Sequence, residues 1–226
     1  MKYFIKKNFY NYSSPKIIGR TSCFGNRVSK LFNRFNYFNN QKFRIDNFIE
    51  SFEKNESSLY INKKFNKLFI DKSLFAILLK QNNLNILDLN LRDPDFIFLE
   101  SYSDLTDILF EHKAVGRFLC HLSDFTPSVW RQISTDVLTD KKLILNCGLL
   151  CIDKFYFLME EFISNIKKRF NKDIPIIYLH TPTKFENRKK IIDRNKEIIK
   201  VTEKVSKNFN NFYSLKIPEN KVSPLS

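Results

Sequence analysis

Two stretches, "DPDFIFLE" (93–100) and "DIPIIYL" (173–179), set the tightest limits on the fold. Each is a short apolar run without polar alternation, entered through a proline. A strand built from such a run has no solvent face. It therefore predicts a strand covered on both sides, as in a parallel sheet between helical layers. The first run is expected at Phe96 to Leu99 and the second at Ile174 to Leu179. "KKLILNCGLL" repeats the pattern at Leu143 to Leu145, and "KIIG" gives a shorter run at Lys16 to Gly19. "NFYSLKI" predicts a last edge strand.

Helical spacing fills the intervals. Val28, Leu31, Phe32 and Phe35 share one face of a helix from Asn26 to Phe35. "SLFAILLKQ" (73–81) reads as a helix capped by Ser73. Phe155, Leu158, Met159, Phe162, Ile163 and Ile166 line the inside of a helix over 154–170. Ile191, Ile192, Ile198, Ile199 and Val205 form the apolar stripe of a charged helix over 185–207. Strands alternating with helices imply βαβ units with right-handed crossovers. The expectation is one α/β domain over 1–226: three layers, a mostly parallel sheet and helices on both faces.

Charge bears on partners. Thirty-eight Lys and Arg against 24 Asp and Glu leave a net charge of +14. That balance suits an anionic ligand such as a phosphate, an acidic glycan or a nucleic acid. In the 185–207 helix, Glu186, Asp193, Glu197 and Glu203 interleave with the lysines, which favours a solvated face over a nucleic-acid stripe. The N-terminal "MKYFIKKNFY" is interrupted by lysines, so no signal-peptide core forms, and no stretch reaches the ~18 apolar residues of a membrane span. Cys23, Cys120, Cys147 and Cys151 form no CxxC pair, so neither a zinc site nor a disulfide framework is expected. These features predict a reduced, cytoplasmic chain without metal or cofactor.

Ligands of open parallel sheets bind beyond the carboxyl ends of the strands. That rule selects Arg20, Thr21, Ser22, Cys23 and Asn26 after the first run. It selects Ser101, Tyr102, Ser103 and Asp104 after "DFIFLE", Asn146 to Gly148 after "LIL", and His180, Thr181 and Thr183 after "IIYL". Ser22 lies between a strand and a helix, where free N–H groups stabilise a phosphate or an oxyanion. Gly19 and Gly25 allow the chain to turn closely there. An ordinary turn with Ser22 or Thr21 as N-cap accounts for the same residues. "GxxxxGK[ST]" and "GxGxxG" are both absent.

The stretch "IIGRTSCFGNRV" resembles the nucleophile block of SGNH/GDSL-type hydrolases. It is most similar to the GSCFA-like and capsule-associated branches, where Gly-Ser-Cys follows the first strand. Here Arg20 and Thr21 stand between Gly19 and Ser22. "PDFIFLESYSDLTD" resembles the block that carries Gly-x-Asn-Asp, with Ser101, Tyr102, Ser103 and Asp104 at the matching positions. "PIIYLHTPTKFENRKKIIDRNKEIIK" resembles the late strand and helix, with Arg188 and Asn195 in the helix.

The resemblance implies a serine esterase or acyltransferase acting on a carbohydrate or surface-glycan precursor. Ser22 is then the nucleophile, and His180 is the histidine at a strand end that can serve as base. Arg20, Asn26, Ser103, Asp104 and Asn146 are the expected substrate contacts. In the family an Asp-x-x-His block follows the last strand and supplies the base. "KIPENKVSPLS" contains no histidine, which leaves three readings. A C-terminal segment is missing, another residue is the base, or the protein is no hydrolase of this kind. A catalytically degenerate binder of the same fold, and a basic binder of nucleic acid or anionic polymer, are the alternatives.

Overall fold

The structure is a computed structural model and describes residues 16–22, 36–39, 44–54, 58–61, 79, 93–112, 116–121 and 144–222. In chain order the strands are β1 (Lys16–Arg20), β2 (Asn36–Asn39), β3 (Tyr60–Ile61), β4 (Phe96–Glu100), β5 (Asp107–His112), β6 (Gly116–His121), β7 (Ile144–Leu149), β8 (Ile176–Leu179) and β9 (Phe212–Leu215). The helices are α1 (Ile45–Lys54), α2 (Tyr102–Thr106), α3 (Phe155–Phe170) and α4 (Lys189–Asn208). The expected helix over 26–35 lies outside the described residues, as does that over 73–81 apart from Leu79.

The long apolar runs become the middle of a parallel sheet. Its order is β2-β1-β4-β8-β9, with every neighbouring pair parallel. Taken by these strands alone, the order is 2-1-3-4-5, one of the two common doubly wound arrangements. Residues alternate across the sheet with a period of two. Ile18, Ile97, Leu99, Ile176 and Tyr178 join one apolar cluster with α1, α3 and α4. Ile17, Phe96, Phe98, Ile177 and Leu179 form a second, with Leu215 and Ile217 packed against it. The strands are thus buried on both faces, as the middle layer of a three-layer α/β fold must be.

The helices follow their apolar faces. Phe155, Met159, Phe162, Ile163 and Ile166 are buried along α3, and Phe162 meets Phe48 of α1. Asn171 ends α3 in the left-handed conformation at φ 51°, where asparagine is tolerated. Lys167, Lys168 and Arg169 sit beside the carbonyl end of its dipole. Ile191, Ile198 and Val205 form the buried stripe of α4, but Asn195 and Thr202 share it. Those two polar residues are explained by what they bond.

One expectation is corrected. The run at 143–145 was expected to join the parallel sheet. Its described residues, Ile144 and Leu145, lie instead in β7, in a second, antiparallel sheet of order β3-β6-β5-β7. The cause is the partner. Residues 107–112 and 116–121, for which no firm element was expected, form the antiparallel pair β5 and β6, and β5 offers its free edge to β7. Leu109 and Leu119 from this region join the cluster of α1, α3 and α4, as does Leu105 of α2, so the second sheet continues the same core. Gly148 takes φ +75° in β7 and exposes its carbonyl to Arg44 Nη1 at 2.8 Å.

Candidate functional site

In this sheet order the switch point falls between β1 and β4, where the chain leaves in opposite directions. Ser22 and Glu100 lie there, at the carboxyl ends of the two strands. The Ser22 hydroxyl donates to both Glu100 oxygens, at 2.8 Å each, and the Ser22 backbone N–H donates to Glu100 Oε2 at 2.8 Å. Thr181, just past β8, donates its hydroxyl to Glu100 Oε1 at 3.1 Å. Glu100 is buried, while Ser22 and Thr181 are half-buried. Among the described residues three donors converge on this carboxylate, which suits the acceptor-only capacity of its ionised form.

Behind Thr181 the bonds run in one direction. The Thr181 N–H donates to Ser101 Oγ at 2.9 Å, and Ser101 Oγ donates to Thr181 Oγ1 at 3.3 Å. Ser101 is itself held by its N–H on Leu179 O. Asn195 Nδ2 reaches Thr181 O at 3.4 Å and Thr183 Oγ1 at 3.5 Å. The buried asparagine on α4 therefore borders the loop after β8.

Arg20 and Asp104, the expected substrate contacts, bond each other. They are 1% and 0% exposed and form a two-pronged ion pair, with distances of 2.9 and 2.7 Å. Asp104 also accepts the Ile45 N–H and the Tyr178 hydroxyl, each at 2.8 Å. Burial opposes the Arg20 charge most, but Asp104 and Tyr178 together outweigh it and the guanidinium pKa stands above its ordinary value. Burial, with the Asp104 carboxylate adding to it, pushes the Tyr178 phenol well above its usual range. The pair is a structural joint beneath the crevice.

His180 also differs from expectation. Its Nε2 bonds Ser214 Oγ at 2.8 Å and Thr202 Oγ1 at 3.0 Å, and its Nδ1 has no partner, so neither nitrogen bonds Ser22. Alternation places it away from Glu100. Counting from Ile176 and Tyr178 puts His180 on the α4 face, with its ring 5.2 Å from that of Tyr178. Counting from Phe96 and Phe98 puts Glu100 on the other face. Burial, with Lys216 adding to it, lowers the His180 pKa to about 4. A bare acceptor is tolerated better than a bare donor, which favours the tautomer with its proton on Nε2.

The remaining expected contacts are scattered. Ser103 is buried in α2, where its carbonyl accepts the Asp107 N–H. Asn146 pairs with Phe110 in the antiparallel sheet, away from the parallel strand ends. Asn26 lies outside the described residues. His112 and His121 are in β5 and β6. Among the described residues, no group of three His, Cys, Asp or Glu is placed to hold a metal ion. Nor is any helix there long and apolar enough to cross a membrane. Glu100 is the residue that sequence reading passed over. Its signal was available: a carboxylate closing a run that has no solvent face must carry partners.

Comparison of the sequence with protein-family models and with curated proteins returns no match. The site is therefore read from its own geometry.

Two measurements check these placements. Asp104→Ala leaves Arg20 buried without a counter-charge and should cost about 3–5 kcal/mol in urea unfolding. Arg20→Met with Asp104→Leu should cost less than the sum of the single changes. For His180, the folded pKa of about 4 lies below the ordinary 6.5, so the unfolded chain binds the extra proton between those values. Its contribution is complete above pH ~6.5 and drains as pH falls towards ~4, by roughly 2–3 kcal/mol near pH 4.5. His180→Gln should flatten that part of the stability profile, measured as the difference from wild type.

Proposed function

We propose that the protein is an SGNH-like serine esterase or acyltransferase in which Ser22 is the nucleophile and Glu100, rather than His180, takes its proton. The observation that carries this reading is the 2.8 Å bond from the Ser22 hydroxyl to a buried carboxylate at the switch point of the sheet. Ser22 Oγ attacks an acyl carbonyl while its proton passes to Glu100. The tetrahedral adduct collapses, and Glu100 returns the proton to the departing alcohol. Water or an acceptor hydroxyl then attacks the acyl-serine, again losing its proton to Glu100. Water gives an esterase, and a sugar hydroxyl gives an acyltransferase. A carbohydrate or surface-glycan substrate follows from the resemblance of "IIGRTSCFGNRV" to the family block.

One observation favours a second reading, a binding protein of the same fold without catalysis. The Ser22 N–H, the expected oxyanion donor, is given to Glu100 Oε2. In the catalytic reading the developing oxyanion must take over that N–H as Glu100 gains the proton and accepts less strongly.

A fluorophosphonate probe separates the two. The catalytic reading expects labelling of the wild-type protein, mapped to the peptide containing Ser22. Labelling should vanish in Ser22→Ala and slow by about 10²–10⁴-fold in Glu100→Gln, the range for loss of a general base. Undiminished labelling of Ser22→Ala contradicts the nucleophile, and a folded wild type that never labels selects the binding reading.

A further inference from the structure

We propose that Thr181 is a positioning residue that orients and tunes the Glu100 carboxylate through a one-way chain of hydroxyl hydrogen bonds. The inference rests on the reading of Ser22 and Glu100 as nucleophile and base. It adds a residue that the family resemblance does not assign.

A backbone N–H can only donate, so the Thr181 N–H fixes Ser101 Oγ as its acceptor at 2.9 Å. The Ser101 proton is then directed to Thr181 Oγ1 at 3.3 Å. With its oxygen already accepting, Thr181 has its own proton free to donate to Glu100 Oε1 at 3.1 Å. Each hydroxyl has one proton and each has one use.

The chain is anchored at both ends by backbone. The Ser101 N–H is on Leu179 O, within the register that pairs Glu100 with Leu179. Asn195 Nδ2 lies against Thr181 O from α4. Ser101 follows Glu100 directly in the chain, so the strand that carries the carboxylate also carries the hydroxyl that orients its partner.

Two consequences follow for Glu100. One oxygen is held from the Thr181 side while the Ser22 hydroxyl approaches both, which limits rotation of the carboxylate away from Ser22. A hydroxyl donating to the charged form also favours that form. Without it, the carboxylate takes up a proton at higher pH and fewer molecules present an open base.

The test uses the full chain and three proteins: wild type, Thr181→Val and Thr181→Ser. Valine keeps the branched shape and removes the donor, while serine keeps the donor. The first readout is the Glu100 carboxyl titration, followed by NMR on protein with 13C-labelled glutamate and assigned through Glu100→Gln. The midpoint should rise by about one pH unit in Thr181→Val and return in Thr181→Ser. The second readout is the rate of fluorophosphonate labelling against pH. Its acid limb should move up with the titration in Thr181→Val, and the plateau should fall about tenfold.

A purely structural threonine would lower the folded fraction without moving the titration or the limb. An unmoved midpoint in folded Thr181→Val overturns the inference while leaving Ser22 and Glu100 untouched. A shifted midpoint with an unmoved limb also overturns it, because the carboxylate would then be tuned without serving the reaction. A wild-type protein that never labels overturns the nucleophile reading, and the catalytic role of Thr181 falls with it.

Discussion

The Asp104 carboxylate is the joint on which the described structure depends. Its four bonds come from the two Arg20 prongs, the Ile45 N–H and the Tyr178 hydroxyl. They tie the ends of β1 and β8 to the start of α1 and to α2. Arg194 of α4 adds bonds to the carbonyls of Asp104, Leu105 and Leu150. A charge with this little exposure costs several kcal/mol to bury and is retained only where its partners are complete. Both Asp104 oxygens have theirs, and the carboxyl end of the sheet is fixed by them. Ser22 and Glu100 lie at that same end of the sheet.

The period of two then sorts the polar groups. Arg20 and Tyr178 face α1, α3 and α4, as do Ile18, Ile97 and Leu99. Glu100 faces the other way, with Phe96 and Phe98, and meets Ser22 and Thr181 there. His180 falls on the first face and closes against Thr202 and Ser214. Two polar networks therefore lie at one sheet edge, on opposite faces. The first holds the fold and the second presents a half-buried serine on a carboxylate.

Much of the fold was legible in the sequence. Runs such as "FIFLE" and "IIYL" have no solvent face, so burial on both sides and parallel pairing follow from composition alone. α3 and α4 were legible because their apolar spacing is long and regular. The antiparallel sheet was not, because β5 and β6 depend on pairing with each other and with β7, and their residues have no clean local period. Asn146 was misplaced for that reason. Arg20 and Asp104 look like crevice residues in one dimension, since their distance in sequence conceals the ion pair. His180 and Glu100 could have been sorted by counting alternate residues from Tyr178 and Phe98, and that count puts the histidine on the opposite face from the carboxylate that holds Ser22.

The central claim is that a carboxylate at position 100 takes the Ser22 proton. Chemical rescue tests it most directly, by following fluorophosphonate labelling of Glu100→Ala in increasing formate. The account predicts slow labelling without formate and a saturable recovery with it, at Ser22 and absent from Ser22→Ala with Glu100→Ala. A folded Glu100→Ala protein that labels as fast as wild type without formate, or that stays unlabelled at every formate concentration, would contradict it.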